Sequence, residues 1–205
     1  MITPQYLADL ISWGAIGART SESQVHRDLA SGLSCPVGFK NNTEGGIQVA
    51  IDAIKSAKNS HVFLSVTKEG KSAVFSSSGN KDCHVILRGG KQPNYESDSI
   101  GRTGNLLADA RLNQSIMVDM SHGNSSKQHK KQLDVCKNLS QQLSLGEKRI
   151  TGVMIESNLV EGNQPVSDKS SLKYGQSITD ACINWVDTRV CLNNLAEAVE
   201  KRRSK

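Results

Sequence analysis

Five short apolar segments of this sequence are each followed by an ionisable or polar side chain. The residues that follow these segments are Arg19, Lys40, Arg88, His122 and Glu156. Each segment has the length of a buried strand in a parallel sheet and is too short for an ordinary helix. The carboxyl ends of parallel strands meet at one edge, where barrels built from such strands carry their active sites. Three cations, an imidazole and a carboxylate are therefore expected around one mouth, a set that suits a small anionic substrate.

A simpler interpretation is that polar residues follow these segments only because every buried strand must end. That explanation is sufficient for any one of the five segments. It is weaker for five segments that end in the same way, since chance must then repeat along the chain. Both interpretations stay open on the residues alone.

The segments between the strands predict the elements that hold these side chains in place. Helical spacing or helix boundaries indicate crossover helices within 21–32, 46–57, 96–114 and 128–145, and a last helix from about Asp187. Gly101 and Gly104 interrupt the apolar pattern of the third of these helices. Residues 61–76 predict a β-hairpin inserted between two strand–helix units. Residues 161–176, rich in Gly, Ser and Pro, predict a long loop that leads to Asp180.

Composition limits the class of protein. A length of 205 residues fits one domain, and a net charge of +5 is too small and too dispersed for a nucleic-acid-binding surface. The basic tail after Glu200 is interpreted as a solvated helix end. Five irregularly spaced cysteines indicate free thiols in a reducing, cytoplasmic compartment. No signal peptide or membrane-length apolar stretch is visible, so we expect a soluble protein without a membrane partner.

Several long motifs resemble one enzyme family. Residues 14–41, 84–95, 121–127, 152–164 and 174–185 are similar to the microbial, feedback-regulated class I 3-deoxy-D-arabino-heptulosonate 7-phosphate (DAHP) synthases. The resemblance implies an α/β fold of the (β/α)8 TIM-barrel family. It also implies a transferase that condenses phosphoenolpyruvate with erythrose 4-phosphate and releases phosphate. That reaction is the first step of the shikimate route to the aromatic amino acids.

The resemblance assigns roles to individual residues. It implies that Lys40 and His122 are catalytic, and that the anionic groups of phosphoenolpyruvate bind to Ala18, Arg19, Lys40 and Arg88. It implies a divalent cofactor, Mn, Fe, Co or Zn, with the ligands His122, Glu156 and Asp180. Family members are homo-oligomers, and an aromatic amino acid inhibits them at a separate pocket that involves the N-terminal extension of a neighbouring subunit. The residues equivalent to that pocket are Gln5, Leu33, Ser34, Phe63 and Ser65.

The resemblance also exposes a difference. Family members begin with an N-terminal extension and three further strand–helix units, which carry a Gly-Pro-Cys-Ser motif with a metal-binding cysteine and a Lys-Pro-Arg-Thr motif for substrate. Neither motif is present in this sequence. The sequence is therefore expected to form strands 4 to 8 of an incomplete barrel in one domain, 1–205, which works as a fragment or split subunit with a complementary N-terminal half. Feedback control is expected to be lost.

Two alternatives accompany this expectation. The first is a catalytically inactive, truncated paralogue that acts as an interaction or regulatory partner of a full-length synthase. The second is a related enzyme that uses phosphoenolpyruvate, such as 3-deoxy-D-manno-octulosonate 8-phosphate synthase, although its motifs match less well.

Overall fold

The computed structural model describes residues 8–205, which form a mixed α/β structure. Its nine strands are β1 Gly14–Ile16, β2 Val37–Lys40, β3 Val62–Val66, β4 Ser72–Ser76, β5 His84–Leu87, β6 Ile116–Asp119, β7 Ile150–Met154, β8 Val160–Asn163 and β9 Gln176–Ser177. Its five α-helices are α1 Gln24–Ser31, α2 Gln48–Ala57, α3 Ser97–Asp109, α4 Gln132–Leu145 and α5 Trp185–Arg203. Across this described range, no helix combines the length and the apolar character needed to cross a bilayer.

A five-stranded parallel sheet forms the centre of the structure. Its strand order is β1-β2-β5-β6-β7, so within residues 8–205 strands β1 and β7 are the outer strands. The strands are rich in side chains that are fully buried, as expected where helices cover a parallel sheet. This arrangement confirms the predicted parallel α/β sheet and brings five carboxyl ends to one edge. Its most deeply buried apolar strand residues are Phe39, Val85, Ile86, Leu87, Ile116 and Val118.

Strands β3 and β4 form a separate antiparallel pair between α2 and β5. Leu64 lies opposite Val74, and Phe63 lies opposite Phe75. The two phenylalanine rings stack with their centroids 6.3 Å apart. Leu64 and Val74 are exposed on the other face of the pair. The strands therefore present an aromatic face and an aliphatic face, because side chains alternate along a strand.

Gly101 and Gly104 interrupt the sequence pattern of the third crossover helix but do not break the helix. Helix α3 continues through Gly101 and Gly104 without a break. A Cβ atom at Gly104 would lie only 2.7 Å from Cδ of Arg149. The guanidinium of Arg149 in turn donates two hydrogen bonds, of 2.8 and 2.6 Å, to the carboxylate of Glu147. Glycine at position 104 therefore gives Arg149 room to pack across the helix. The local sequence pattern does not reveal this contact, because Arg149 is distant in the sequence.

The expected loop at 161–176 was only partly correct. Its first residues belong to β8, which pairs in parallel with β9. The side-chain amide of Gln164 donates to the carbonyl oxygens of Lys173 and Gln176, at 2.8 and 3.1 Å. These bonds fix both ends of the segment, and the chain then turns to deliver Asp180.

The basic tail is also more than a solvated helix end. One nitrogen of Arg202, Nη1, donates to the carbonyl oxygens of Glu147 and Ile150, each at 3.0 Å. Nζ of Lys205 donates to the carbonyl of Ser144 at 2.9 Å. These cations attach the end of α5 to the end of α4, to the loop that follows it and to the first residue of β7. The five cysteines, by contrast, are free thiols as predicted, and four of them are buried.

Candidate active site and metal centre

The carboxyl edge of the sheet gathers the ionisable residues that the sequence singled out. Lys40 ends β2 and Arg88 directly follows β5, whereas His122 and Glu156 lie in the loops after β6 and β7. A cavity of about 450 Å³ opens at this edge. The predicted residues that line it are Arg19, Arg88, His122, Glu156 and Asp180. In this described part of the chain, Ala18 and Lys40 are not among its lining residues.

Three of these residues form a group suited to a metal ion. One ligand atom from each of His122, Glu156 and Asp180 lies within 4.8 Å of the other two. Nε2 of His122 is 3.6 Å from Oε1 of Glu156 and 3.8 Å from Oδ2 of Asp180. These separations are too long for hydrogen bonds. They fit two donors that share one ion with bonds of about 2.0–2.2 Å.

The donor set restricts which ions fit. One imidazole and two carboxylates are compatible with Mn, Fe, Co and Zn and do not choose among them. Burial raises the pKa of the Glu156 carboxyl, and the negative charges of Asp180 and Asp119 act in the same direction, whereas the His122 ring opposes them. Two nearby carboxylates that repel each other gain most from a cation between them.

His122 adopts an uncommon backbone conformation. Its φ angle is +54°, in the left-handed region that residues other than glycine rarely occupy. The carbonyl of His122 accepts a hydrogen bond of 2.8 Å from the backbone N–H of Lys127, which closes the loop. Ser126 and Lys127 also have positive φ angles. Strain of this kind is typical of functional loops, and here it places the imidazole over the cavity.

Asp119, the last residue of β6, is a site residue that the sequence analysis missed. Its side chain is fully buried and accepts a hydrogen bond of 2.7 Å from Nζ of Lys40. Burial alone would raise the pKa of this carboxyl, but hydrogen bonds from His122 and Lys40 and their positive charges lower it to about 2. The side chain is therefore ionised. A sequence signal existed, since an acidic residue ends an otherwise apolar strand three positions before His122.

Gln132, the first residue of α4, is a second missed residue. Its fully buried side-chain amide donates to the carbonyl of Glu156 at 3.0 Å and accepts from the N–H of Glu156 at 2.9 Å. The amide therefore satisfies both backbone groups of a candidate ligand. No sequence signal distinguishes Gln132 from other polar residues of an amphipathic helix.

Three buried or half-buried asparagines hold together the loops on the side of the cavity where Arg88 lies. Oδ1 of Asn41 accepts from the backbone N–H of Arg88 at 2.8 Å and from Nδ2 of Asn94 at 3.2 Å. Asn124 accepts from the N–H of Asn94 at 2.8 Å and donates to the carbonyl of Asp119 at 2.8 Å. The loops after β2, β5 and β6 are thereby joined, and Arg88 starts from a fixed backbone.

The residues predicted for effector binding lie elsewhere. Gln5 is outside the described residues. Leu33 and Ser34 follow α1, and Phe63 and Ser65 belong to β3. Phe63 lies against the end of α1: a Cβ atom added to Gly32 would be 3.6 Å from Cζ of Phe63. None of these four residues lines the cavity at the sheet edge.

Comparisons with known proteins identify the family and several relatives of this chain. The model of a family described as the DAHP synthetase I family matches residues 1–193. The chain is 63% identical, over 203 residues, to the Phe-sensitive phospho-2-dehydro-3-deoxyheptonate aldolase of Escherichia coli (strain K12). It is 52% identical, over 202 residues, to the Trp-sensitive enzyme of that name from Salmonella typhi.

A solved structure is similar along nearly the whole chain. The phospho-2-dehydro-3-deoxyheptonate aldolase of Francisella tularensis SCHU S4 superposes with a TM-score of 0.93 and 51% sequence identity. That match covers 98% of this chain and 60% of the solved chain. The match to the Escherichia coli relative covers 99% of this chain and 58% of that protein. This chain thus spans about three fifths of the length of the proteins it resembles.

Proposed function

The chain belongs to the DAHP synthetase I family, and from that premise we propose that it carries the metal-binding and phosphoenolpyruvate-binding part of a DAHP synthase. The proposed reaction joins phosphoenolpyruvate and erythrose 4-phosphate with water to give DAHP and phosphate. Both relatives described above bear the name of an aldolase for this product. The proposal thus extends their named activity to this chain.

One observation supports the proposal most strongly. The ligand atoms of His122, Glu156 and Asp180 lie close together, and these three residues line the same cavity as Arg19 and Arg88. An aldol-type condensation of two phosphorylated compounds needs both features, a site for an electrophile and a site for an anionic nucleophile. Their proximity is what the proposed chemistry requires.

The basic residues are proposed to hold phosphoenolpyruvate. Arg19 and Arg88 can each bind a phosphate or carboxylate through two parallel hydrogen bonds, because the planar guanidinium matches their geometry. Lys40 contributes a compact positive charge behind them, fixed by Asp119 at 2.7 Å. The backbone N–H of Ala18, in the turn after β1, is proposed as a further donor. Together these groups orient C3 of phosphoenolpyruvate toward the candidate metal ligands.

The candidate ligands are proposed to serve the second substrate. A divalent ion held by His122, Glu156 and Asp180 would supply Lewis-acid polarisation of the erythrose 4-phosphate aldehyde. C3 of phosphoenolpyruvate then attacks the aldehyde carbon. Water adds at C2, and the C–O bond to phosphate breaks. In this scheme Lys40 and His122 are the catalytic side chains of this chain, and Arg19 and Arg88 bind the departing phosphate.

Two further features belong to the same proposal. The parallel strands β1, β2, β5, β6 and β7 are proposed to be strands 4 to 8 of a (β/α)8 barrel, with 61–76 as an inserted hairpin. The similarity to the Francisella tularensis structure supports this assignment. Leu33, Ser34, Phe63 and Ser65 are proposed to mark an aromatic amino acid pocket, since the relatives are named Phe-sensitive and Trp-sensitive. Loss of feedback control stays a prediction, which a titration with phenylalanine, tyrosine and tryptophan tests.

The test measures phosphate release from phosphoenolpyruvate and erythrose 4-phosphate in the presence of Mn²⁺. The purified chain is assayed alone and after mixing with the part of the Escherichia coli relative that lies outside the match. Calorimetric titration with Mn²⁺ provides a measurement that does not depend on turnover. Glu156→Gln is compared with Glu197→Gln, a change of the same kind at an exposed position on α5.

We expect Mn²⁺-dependent release in the mixture, abolished by Glu156→Gln and kept by Glu197→Gln. Absence of both release and Mn²⁺ binding would contradict the proposal. Mn²⁺ binding by a chain that never releases phosphate would instead favour an inactive partner of a full-length synthase.

A further inference from the structure

The two oxygens of Asp119 have different partners. Oδ2 lies 2.7 Å from Nζ of Lys40 and 2.9 Å from Nδ1 of His122. Oδ1 accepts from the backbone N–H of Ser121 at 3.0 Å and from its hydroxyl at 2.8 Å. Because the side chain is fully buried, these four groups replace water around the carboxylate.

The partners of Asp119 determine where the proton of His122 lies. Oδ2 accepts from the ammonium of Lys40 and also lies 2.9 Å from Nδ1 of His122. An unprotonated Nδ1 would bring a second lone pair against this oxygen, whereas an N–H would place a positive hydrogen beside it, so the carboxylate favours the hydrogen on Nδ1. In the neutral imidazole Nε2 then has a free lone pair. That lone pair faces Glu156 and Asp180, which lie 3.6 and 3.8 Å away.

The hydroxyl of Ser121 is a second neighbour of Nδ1, at 2.7 Å. A hydroxyl has one hydrogen, and Asp119 cannot supply one in return. The Ser121 hydrogen therefore goes to Oδ1 of Asp119, which leaves a lone pair on Oγ facing Nδ1. Ser121 thus supports the same placement of the His122 proton.

We propose that Asp119 is a positioning residue that fixes the tautomer of His122, with the proton on Nδ1 and the lone pair on Nε2. The same oxygen atom fixes the ammonium of Lys40. One buried carboxylate thereby sets the relative positions of the proposed anion site and the proposed metal site. The expected effect on metal affinity rests on the proposed metal role of His122. The tautomer itself does not, because it is a property of the metal-free chain.

The variant Asp119→Asn changes the partners without changing the size of the side chain. The N–H of Ser121 still needs an acceptor, so the amide oxygen is expected at the position of Oδ1. The amide NH₂ then occupies the position of Oδ2, where it faces Nδ1 of His122 and the ammonium of Lys40. His122 can accept from this NH₂ only if its own proton moves to Nε2. A hydrogen would then point at Glu156 and Asp180, where a metal ion is proposed to bind.

The experiment records long-range ¹H–¹⁵N spectra of the histidine rings in the metal-free protein at about pH 8.5, where most histidines are neutral. The signals of His122 are assigned by their loss in His122→Gln. The wild-type protein, Asp119→Asn and Ser121→Ala are compared, and Asp134→Asn on the exposed face of α4 is the matched control. Zn²⁺ affinity is then measured by calorimetry on the same samples.

We expect the Nδ1–H tautomer in the wild type, Ser121→Ala and Asp134→Asn, and the Nε2–H tautomer in Asp119→Asn. Zn²⁺ affinity should fall about 10- to 100-fold in Asp119→Asn, as is usual when the partner of a ligating histidine is removed. An Nε2–H tautomer in the wild type overturns the inference without any variant. Unchanged His122 signals in a folded Asp119→Asn overturn it as well. A tautomer that shifts in a chain that never binds Zn²⁺ supports the role of Asp119 and contradicts the proposed metal site.

Discussion

The side-chain amide of Gln132 pairs with both backbone groups of Glu156, donating to its carbonyl and accepting from its N–H. This is how a neighbouring strand would satisfy the same residue. Glu156 lies beyond the end of β7, so the sheet itself does not provide these bonds. The first residue of α4 therefore holds a candidate metal ligand in place.

We predict that Gln132→Leu destabilises the protein by about 1–3 kcal/mol, because the N–H of Glu156 loses its acceptor and its carbonyl keeps only the hydrogen bond from the N–H of Ile183. Mn²⁺ affinity should also fall, since Glu156 is no longer held in place. Chemical denaturation and calorimetry measure the two effects. Gln141→Leu, at an exposed position of the same helix, is the control and should change neither quantity. Equal effects of the two substitutions would show that the contacts of Gln132 are not the cause.

The next prediction concerns the end of α5. Arg202→Ala removes both hydrogen bonds to the carbonyls of Glu147 and Ile150 and should cost about 1–3 kcal/mol of unfolding free energy. Arg203→Ala removes the same charge from an exposed neighbour and should cost little. Urea denaturation of the two variants separates the effect of the lost hydrogen bonds on stability from the effect of the lost charge. Similar stability of both variants would restore the interpretation of a solvated helix end.

Two glycines of α3 provide a matched pair. A Cβ at Gly101 meets no atom closer than 3.9 Å, whereas a Cβ at Gly104 meets Cδ of Arg149 at 2.7 Å. Gly101→Ala should stabilise the protein by about 0.5–1 kcal/mol through helix propensity. Gly104→Ala should destabilise it, because the clash displaces Arg149 from Glu147. Melting temperatures test the prediction, and a stabilised Gly104→Ala would contradict the packing argument.

His84 predicts a pH dependence of stability. Burial lowers its pKa, although a hydrogen bond with the carbonyl of Asp82 acts in the opposite direction. Nε2 of His84 accepts a hydrogen bond from the indole N–H of Trp13 at 3.1 Å, which requires an unprotonated nitrogen. Since the folded pKa lies below the ordinary value of 6.5, the unfolded chain binds more protons. The contribution of His84 to stability is therefore complete at pH values above the ordinary pKa of 6.5. It is lost as the pH falls from there toward the lower pKa of the folded protein.

The corresponding measurement compares melting temperatures of wild type and His84→Gln at about pH 7.5 and about pH 5. Glutamine can still accept from Trp13 but does not titrate in this range. The variant should therefore lose less stability than the wild type on acidification. An identical loss in both proteins would mean that other groups cause the acid sensitivity.

The proposed anion site makes a further prediction. Arg88→Lys keeps the charge but loses the two parallel hydrogen bonds of a guanidinium, so phosphoenolpyruvate affinity should fall about tenfold or more. Arg102→Lys, at an exposed position on α3, should leave the affinity unchanged. Calorimetric titration with phosphoenolpyruvate measures both variants. An unaffected Arg88→Lys would place the anion elsewhere in the cavity.

The sequence alone determined the parallel sheet and the edge at which the candidate site lies. Short apolar runs define buried strands, and the direction of parallel strands places Arg88, His122 and Glu156 on one side. Long motifs then identified the family, because they preserve residue types at fixed spacing. Local patterns were less informative at Gly101, at Gly104 and at 161–176. There the packing of Arg149 against α3 and the pairing of β8 with β9 add to local preference.

Only the tertiary structure decided which groups support the proposed site residues. Lys40 and Asp119 are 79 positions apart, and Gln132 and Glu156 are 24 apart, yet each pair is in hydrogen-bond contact. A buried carboxylate or amide has no periodic signature, because its partners depend on how loops from different strands meet. Residue types therefore show which groups can bind an anion or a metal, whereas the fold determines which buried groups orient them.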